Sequence, residues 1–167
     1  MSKIRRLSHI LAVSCFCAGL SVSAPDAIAG SSKTFKTSYC DIHYPDEKTL
    51  GDFFWRISGK RFNFIEDMSL ARSRVDRLID RVQSILDMYP DNFRFKIELH
   101  TEYKKGLIAA YYRDRNSVKV YADKVTDGVL AHEIAHAVIC NYFNPPPPAK
   151  MQEILAQYVD RHLWSDY

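Results

Sequence analysis

No stripe of lysine or arginine runs through the sequence. Its 23 basic and 20 acidic side chains leave a formal charge of only +3. No block of one sign is long enough to track a phosphate backbone, so nucleic acid is not an expected partner. An apolar run long enough to cross a bilayer is also missing: the longest, Leu7 to about Leu20, is short for a span and broken by serine. There is no internal repeat, and 167 residues leave little room for a second domain. Cysteine is scarce, at four residues. What the chain does have is apolar content of 47%, enough for a core.

The first thirty residues differ in kind from the rest. Lys3, Arg5 and Arg6 precede the apolar run, and small residues follow, ending in Ala27-Ile28-Ala29. That order is the layout of a secretory signal peptide cleaved between Ala29 and Gly30. The competing reading is an uncleaved anchor. The sequence therefore divides into a signal peptide at 1–29 and one domain at 30–167, exported to the periplasm or beyond, with no membrane span in the mature chain. Cleavage removes Cys15 and Cys17, leaving Cys40 and Cys140 as either one disulfide or two buried thiols.

Periodicity divides the remainder into elements. Phe35–Tyr44 reads as a strand closed by Pro45-Asp46, and Leu50–Ile57 as a short helix. Ala71, Val75, Leu78, Ile79, Val82 and Leu86 recur at helical spacing, and the charges between them read as a solvated face. Strands are expected over Phe93–Leu99, Leu107–Tyr112 and Val118–Ala122, with a turn at Arg113–Asn116. A helix from about Gly128 to Phe143, a proline spacer at 145–148 and a last helix from Lys150 to Leu163 complete the chain. The expected class is α+β: a small mixed sheet packed on a buried helix, followed by a C-terminal helix.

That buried helix carries His132-Glu133-Ile134-Ala135-His136. Histidines four apart project from one face, close enough for both imidazoles to reach one metal ion. Glu133 points about 100° away, which suits a general base for metal-activated water better than a ligand. Leu130, Ile134, Ala137 and Val138 cover one side of the helix, and Val125, Val129, Ile139 and Phe143 flank the histidines. Two histidines and a glutamate buried in such a helix are costly unless partnered, and a metal is the economical partner. Ile139 and Tyr142 stand where a metzincin needs glycine and histidine, so that subclass fails.

Downstream, Met151-Gln152-Glu153-Ile154-Leu155-Ala156-Gln157-Tyr158-Val159 offers a carboxylate on the last helix. From Leu130 to Val159 the chain resembles the gluzincin zinc peptidases, most of all compact, single-domain minigluzincins. The resemblance implies a zincin-like domain, Zn2+ held by His132, His136 and Glu153, and Glu133 as catalytic base on a peptide or protein substrate. It implies Val118–Ala122 as the strand leading into the active helix. The family's acidic residue one turn past the third ligand is Gln157 here, with Asp160 as a possible substitute for orienting His132. By periodicity alone Glu153 falls opposite Met151, Ile154, Leu155, Tyr158 and His162, on a polar face.

Oxyanion stabilisation beyond zinc has four candidates: Tyr111, Tyr112, Tyr158 and His162. Leu107–Tyr112 is the candidate edge strand for extended substrate. His43 and His100 receive no role. Two other functions compete: a zinc amidase acting on cell-wall peptide or a small amide, and a catalytically silent zincin-fold binding protein. Latency, with Ser31–Asp41 or the C-terminal Trp164–Tyr167 lying in the cleft, is a further possibility.

Overall fold

The computed structural model describes residues 32–58, 67–101 and 106–164. The leader expected at 1–29 and the last three residues lie outside the described residues. Among those residues, no helix is long and apolar enough to cross a membrane.

The described residues form nine elements and one short 3-10 turn, in order: β1 (Lys33–Lys36), β2 (Cys40–Tyr44), α1 (Glu47–Ser58), α2 (Met68–Leu86), β3 (Phe95–His100), β4 (Ala109–Tyr112), the 3-10 turn (Arg113–Arg115), β5 (Ser117–Tyr121), α3 (Asp127–Tyr142) and α4 (Ala149–His162). The class is α+β, with a five-stranded mixed sheet in the order β1-β2-β3-β5-β4. The three central strands are parallel, and each edge strand runs antiparallel to its neighbour. Alternation sets the faces: Phe95, Ile97 and Leu99 of β3 are buried while Lys96 is exposed. One apolar row crosses the whole sheet through paired positions, Phe35–Ile42–Ile97–Val118–Tyr111.

Phe35–Tyr44 is two strands where the periodicity predicts one. The hydroxyl of Thr37 accepts from the amides of Tyr39 and Cys40, and Asp76 of α2 accepts from the Ser38 amide. Those side chains offer the backbone a turn in place of the ladder. The charged side of α2 is likewise more than a solvated face. Arg74 donates to the Ile57 carbonyl at the end of α1, and Arg81 to the carbonyls of His162 and Leu163 where α4 ends. Helix C-termini leave such carbonyls without intrahelical partners, and cations there are favourable.

Helix α3 is the centre of the molecule, packing on α1, α2, α4, β4 and β5. Thr126 caps it by accepting from the Val129 amide. Leu130, Ile134, Ala137, Val138 and Ile139 are fully buried. Gly128 leaves room for the Asp160 carboxylate of α4, since a Cβ there would lie 2.9 Å from the Asp160 Oδ1. On α4 the buried residues are Ala156 and Val159, whereas Met151, Ile154 and Tyr158 are each about half exposed. The large apolar side chains on this helix therefore face outward, and small ones make the close contact.

Ile97 is fully buried in the central strand. Ile97→Ala should cost about 2–5 kcal/mol. The urea unfolding midpoint is expected to fall accordingly with an unchanged m-value.

Candidate metal centre

His132 and His136 sit one turn apart on α3, their rings edge to face with centroids 5.1 Å apart. Glu153, in the first turns of α4, faces both. His132 Nε2 lies 3.6 Å from Glu153 Oε1, and His136 Nε2 lies 3.6 Å from Oε2. All three side chains are mostly buried, at 12%, 17% and 22% exposure. One ligand atom from each lies within 4.8 Å of the others, so the group can hold a metal ion.

The spacing is informative because 3.6 Å is too long for a hydrogen bond. His132 Nε2 is buried and has no hydrogen-bond partner. A buried imidazole nitrogen left in that state is expensive. Two imidazoles and a carboxylate are a donor set that zinc accepts. At bond lengths of about 2.0–2.2 Å and a tetrahedral angle, neighbouring donor atoms stand roughly 3.3–3.5 Å apart. The residues thus fit such an ion with little movement.

Electrostatics favour the ligating forms. Burial, followed by the neighbouring His132, pushes His136 down to about 4, against the opposing pull of Glu153. An imidazole in that condition is neutral at pH 7 and keeps a lone pair for a metal.

Glu133 stands apart from the ligand group. Its Oε2 accepts the backbone N–H of Tyr111 at 2.8 Å, so the edge strand β4 fixes this carboxylate. Burial raises its affinity for a proton, while His132 and the Tyr111 amide lower it. The sequence separates this residue from the histidines by helical phase, but its contact with β4 has no local signal.

The remaining polar residues fall into place around the centre. Gln157 does not serve His132: its Nε2 donates to Glu153 Oε1 at 3.0 Å, the natural reach of an i,i+4 pair on α4. The Asp160 carboxylate lies against Gly128, one turn before His132. Gln152, which the spacing did not single out, donates to the Pro147 carbonyl at 2.7 Å and accepts from the Cys140 thiol at 3.3 Å. Its one sequence signal is that His132, His136 and Cys140 continue a single i,i+4 ladder along α3.

The four oxyanion candidates lie in different surroundings. The Tyr111 hydroxyl donates to Asn116 Oδ1 at 3.0 Å, and burial pushes this phenol above its ordinary range. The Arg115 guanidinium lies 4.8 Å from the Tyr112 ring centroid. Tyr158 and His162 stack on each other at 4.0 Å. At about 100° per residue they stand roughly 140° and 180° round α4 from Glu153.

Cys40 and Cys140 are free thiols, not a disulfide. Cys40 lies 3.3 Å from the Thr37 hydroxyl, and burial pushes it up to about 12. The segment 33–41 does not enter the cleft, because β1 and β2 occupy the sheet edge away from β4. Trp164 lies beneath the Arg74 guanidinium, 5.8 Å from its ring centroid. His43 accompanies Thr34 on the neighbouring strand, at 3.2 Å.

No protein-family model, curated protein or solved structure matches the chain.

The shift at His136 makes stability depend on pH. Between about 4 in the folded state and roughly 6.5 in the unfolded one, the unfolded chain takes up a proton that the folded chain refuses. This contribution is complete above pH 6.5 and falls as pH drops toward 4, by up to about 3 kcal/mol. Glu133, with its raised pKa, works in the opposite direction. Urea titrations of metal-free protein at pH 7 and pH 5 should show a loss of stability for the wild type. The loss should be smaller for His136→Gln.

Proposed function

We propose that the chain is an exported zinc-dependent peptidase of the gluzincin type, with a zincin-like domain. One observation carries the reading. The Nε2 atoms of His132 and His136 face the two oxygens of Glu153 at 3.6 Å each, and His132 Nε2 is buried without a hydrogen bond. Glu133, on the same helix but outside that group, is the base. A zinc ion held by the three residues would supply the Lewis acidity that polarises a peptide carbonyl and acidifies water.

The chain's own groups account for the rest of the reaction. Glu133 Oε2 is fixed by the Tyr111 amide. A carboxylate whose proton affinity is raised by burial is suited to take a proton from the attacking water and pass it to the leaving amine. Strand β4 supplies a place for the substrate backbone. Ile108 accepts from Tyr121, so antiparallel alternation turns Ile108, Ala110 and Tyr112 toward β5. The peptide groups of Ala109 and Tyr111 then face the open edge, beside Glu133. With the Tyr111 amide engaged by Glu133, an extended peptide can add there as a further strand through the peptide groups of Ala109 and the Tyr111 carbonyl. Localisation rests on the leader pattern at 1–29.

Metal analysis of purified protein should give about one zinc per chain. Glu153→Ala should weaken zinc binding by more than the roughly 10–100-fold typical of outer-shell changes. A parent protein without metal would overturn the reading. Glu133→Gln should retain zinc and lose peptide cleavage by roughly 100-fold or more. Cleavage that survives this substitution would remove Glu133 from the mechanism.

A further inference from the structure

Asn116 closes the 3-10 turn between β4 and β5 with φ at 46°, a left-handed conformation that asparagine tolerates better than most residues. Its polar groups reach the turn, the start of β3, β4 and α3. The backbone N–H donates to the Arg113 carbonyl at 3.2 Å, and the carbonyl accepts from the Lys96 amide at 3.0 Å. Its Nδ2 donates to the Arg94 carbonyl at 2.9 Å. A carbonyl can only accept, so that contact fixes which end of the side-chain amide is nitrogen. The Oδ1 end then accepts from the Tyr111 hydroxyl at 3.0 Å and from Asn141 Nδ2 at 3.1 Å. Asn141 also donates to the Ala137 carbonyl at 2.8 Å, which seats its side chain on α3.

Tyr111 is consequently tied to α3 at two points. Its amide donates to Glu133 Oε2 at 2.8 Å, and its phenol reaches Asn141 through Asn116. Glu133 and Asn141 lie about two turns apart on the helix, roughly 12 Å along its axis. The geometry points to Asn116 as a positioning residue for Glu133, acting through Tyr111. Strand β4 is a four-residue edge strand, so its height over α3 depends on few contacts. Pinning the phenol holds that height, and the height sets where the Tyr111 amide meets the carboxylate. The same tie places the Ala109 peptide groups and the Tyr111 carbonyl, where an extended peptide would pair. Resting on the peptidase reading above, Asn116 fixes the base and the substrate backbone relative to each other. Such orientation matters because a misplacement of about 1 Å can cost roughly 100-fold in rate.

Amide hydrogen exchange in metal-free protein, followed by NMR, tests this. Asn116→Gly keeps the left-handed backbone and Tyr111→Phe keeps the ring, so each removes the tie and little else. In both variants exchange at the Tyr111 amide should quicken by roughly tenfold, the effect of losing one hydrogen bond. Exchange at Tyr121 and Ala122, whose amides bond to the Ile108 and His100 carbonyls, should stay as it was. Asn116→Asp retains the acceptor and should restore most of the protection. In a Glu133→Ala background, Asn116→Gly should have little further effect on the Tyr111 amide. The assignment is overturned by unchanged exchange at Tyr111, by a rise matched at Tyr121 and Ala122, or by an equal rise without the Glu133 carboxylate. In zinc-loaded protein cleaving a labelled casein, Asn116→Gly should lower kcat by roughly 10–100-fold at unaltered zinc affinity. An unaltered kcat would count equally against it. If the wild type takes up no zinc, the peptidase reading fails by itself, and the exchange comparison still decides for or against Asn116.

Discussion

Most of this structure answers to one constraint: a largely apolar helix, buried through most of its length, carries three ionisable side chains within five residues. Each of His132, Glu133 and His136 loses hydration when α3 packs against α1, α2, α4 and two strands. Such groups must be partnered or the fold bears their desolvation. Glu133 is partnered by a backbone amide of β4. The histidines face Glu153 across a gap too wide for hydrogen bonding. The fold thus satisfies Glu133 internally and leaves the buried His132 Nε2 without a hydrogen bond.

The rest of the architecture can be read as support for that arrangement. The row Phe35–Ile42–Ile97–Val118–Tyr111 ties the far edge of the sheet to the residue whose amide holds Glu133. Helix α4 is tethered at both ends. Gln152 grips the proline loop near its start, and Arg81 meets its last carbonyls. Glu153 therefore sits on a segment with little freedom to drift, and Gln157 steadies its carboxylate. Ligands held in this way spend little entropy when they converge on an ion.

How far the sequence discloses all this depends on the range of the interactions. Helix α3, its two histidines and the separate direction of Glu133 are legible because helical phase is local. The class and the order of elements follow from periodicity and chain length, whereas the edge position of β4 is suggested only by resemblance. Glu153 was readable only by resemblance, and the faces of α4 were misjudged. Met151, Ile154 and Tyr158 attract attention as an apolar stripe, yet they are half exposed. The contact with α3 is made by small residues, with Gly128 giving Asp160 room. Hydrophobicity says little about a contact governed by how closely two backbones can approach. The break at Thr37-Ser38 and the staples of α2 have no local signal for a related reason: both depend on partners 17 or more residues away or on side chains competing with the backbone.

The two margins of the sheet are built differently. Strand β1 begins and ends in lysine, Lys33 and Lys36, a composition that repels a stray strand. Strand β4 reads Ala-Ala-Tyr-Tyr and carries no charge of its own. Its protection comes from brevity, from the arginines of the turn that follows, and from Glu133 occupying the Tyr111 amide. The Glu133 carboxylate is thus a stopper on an adhesive margin. Shortening it would leave the Tyr111 amide bare at a strand edge, open to other copies of the chain.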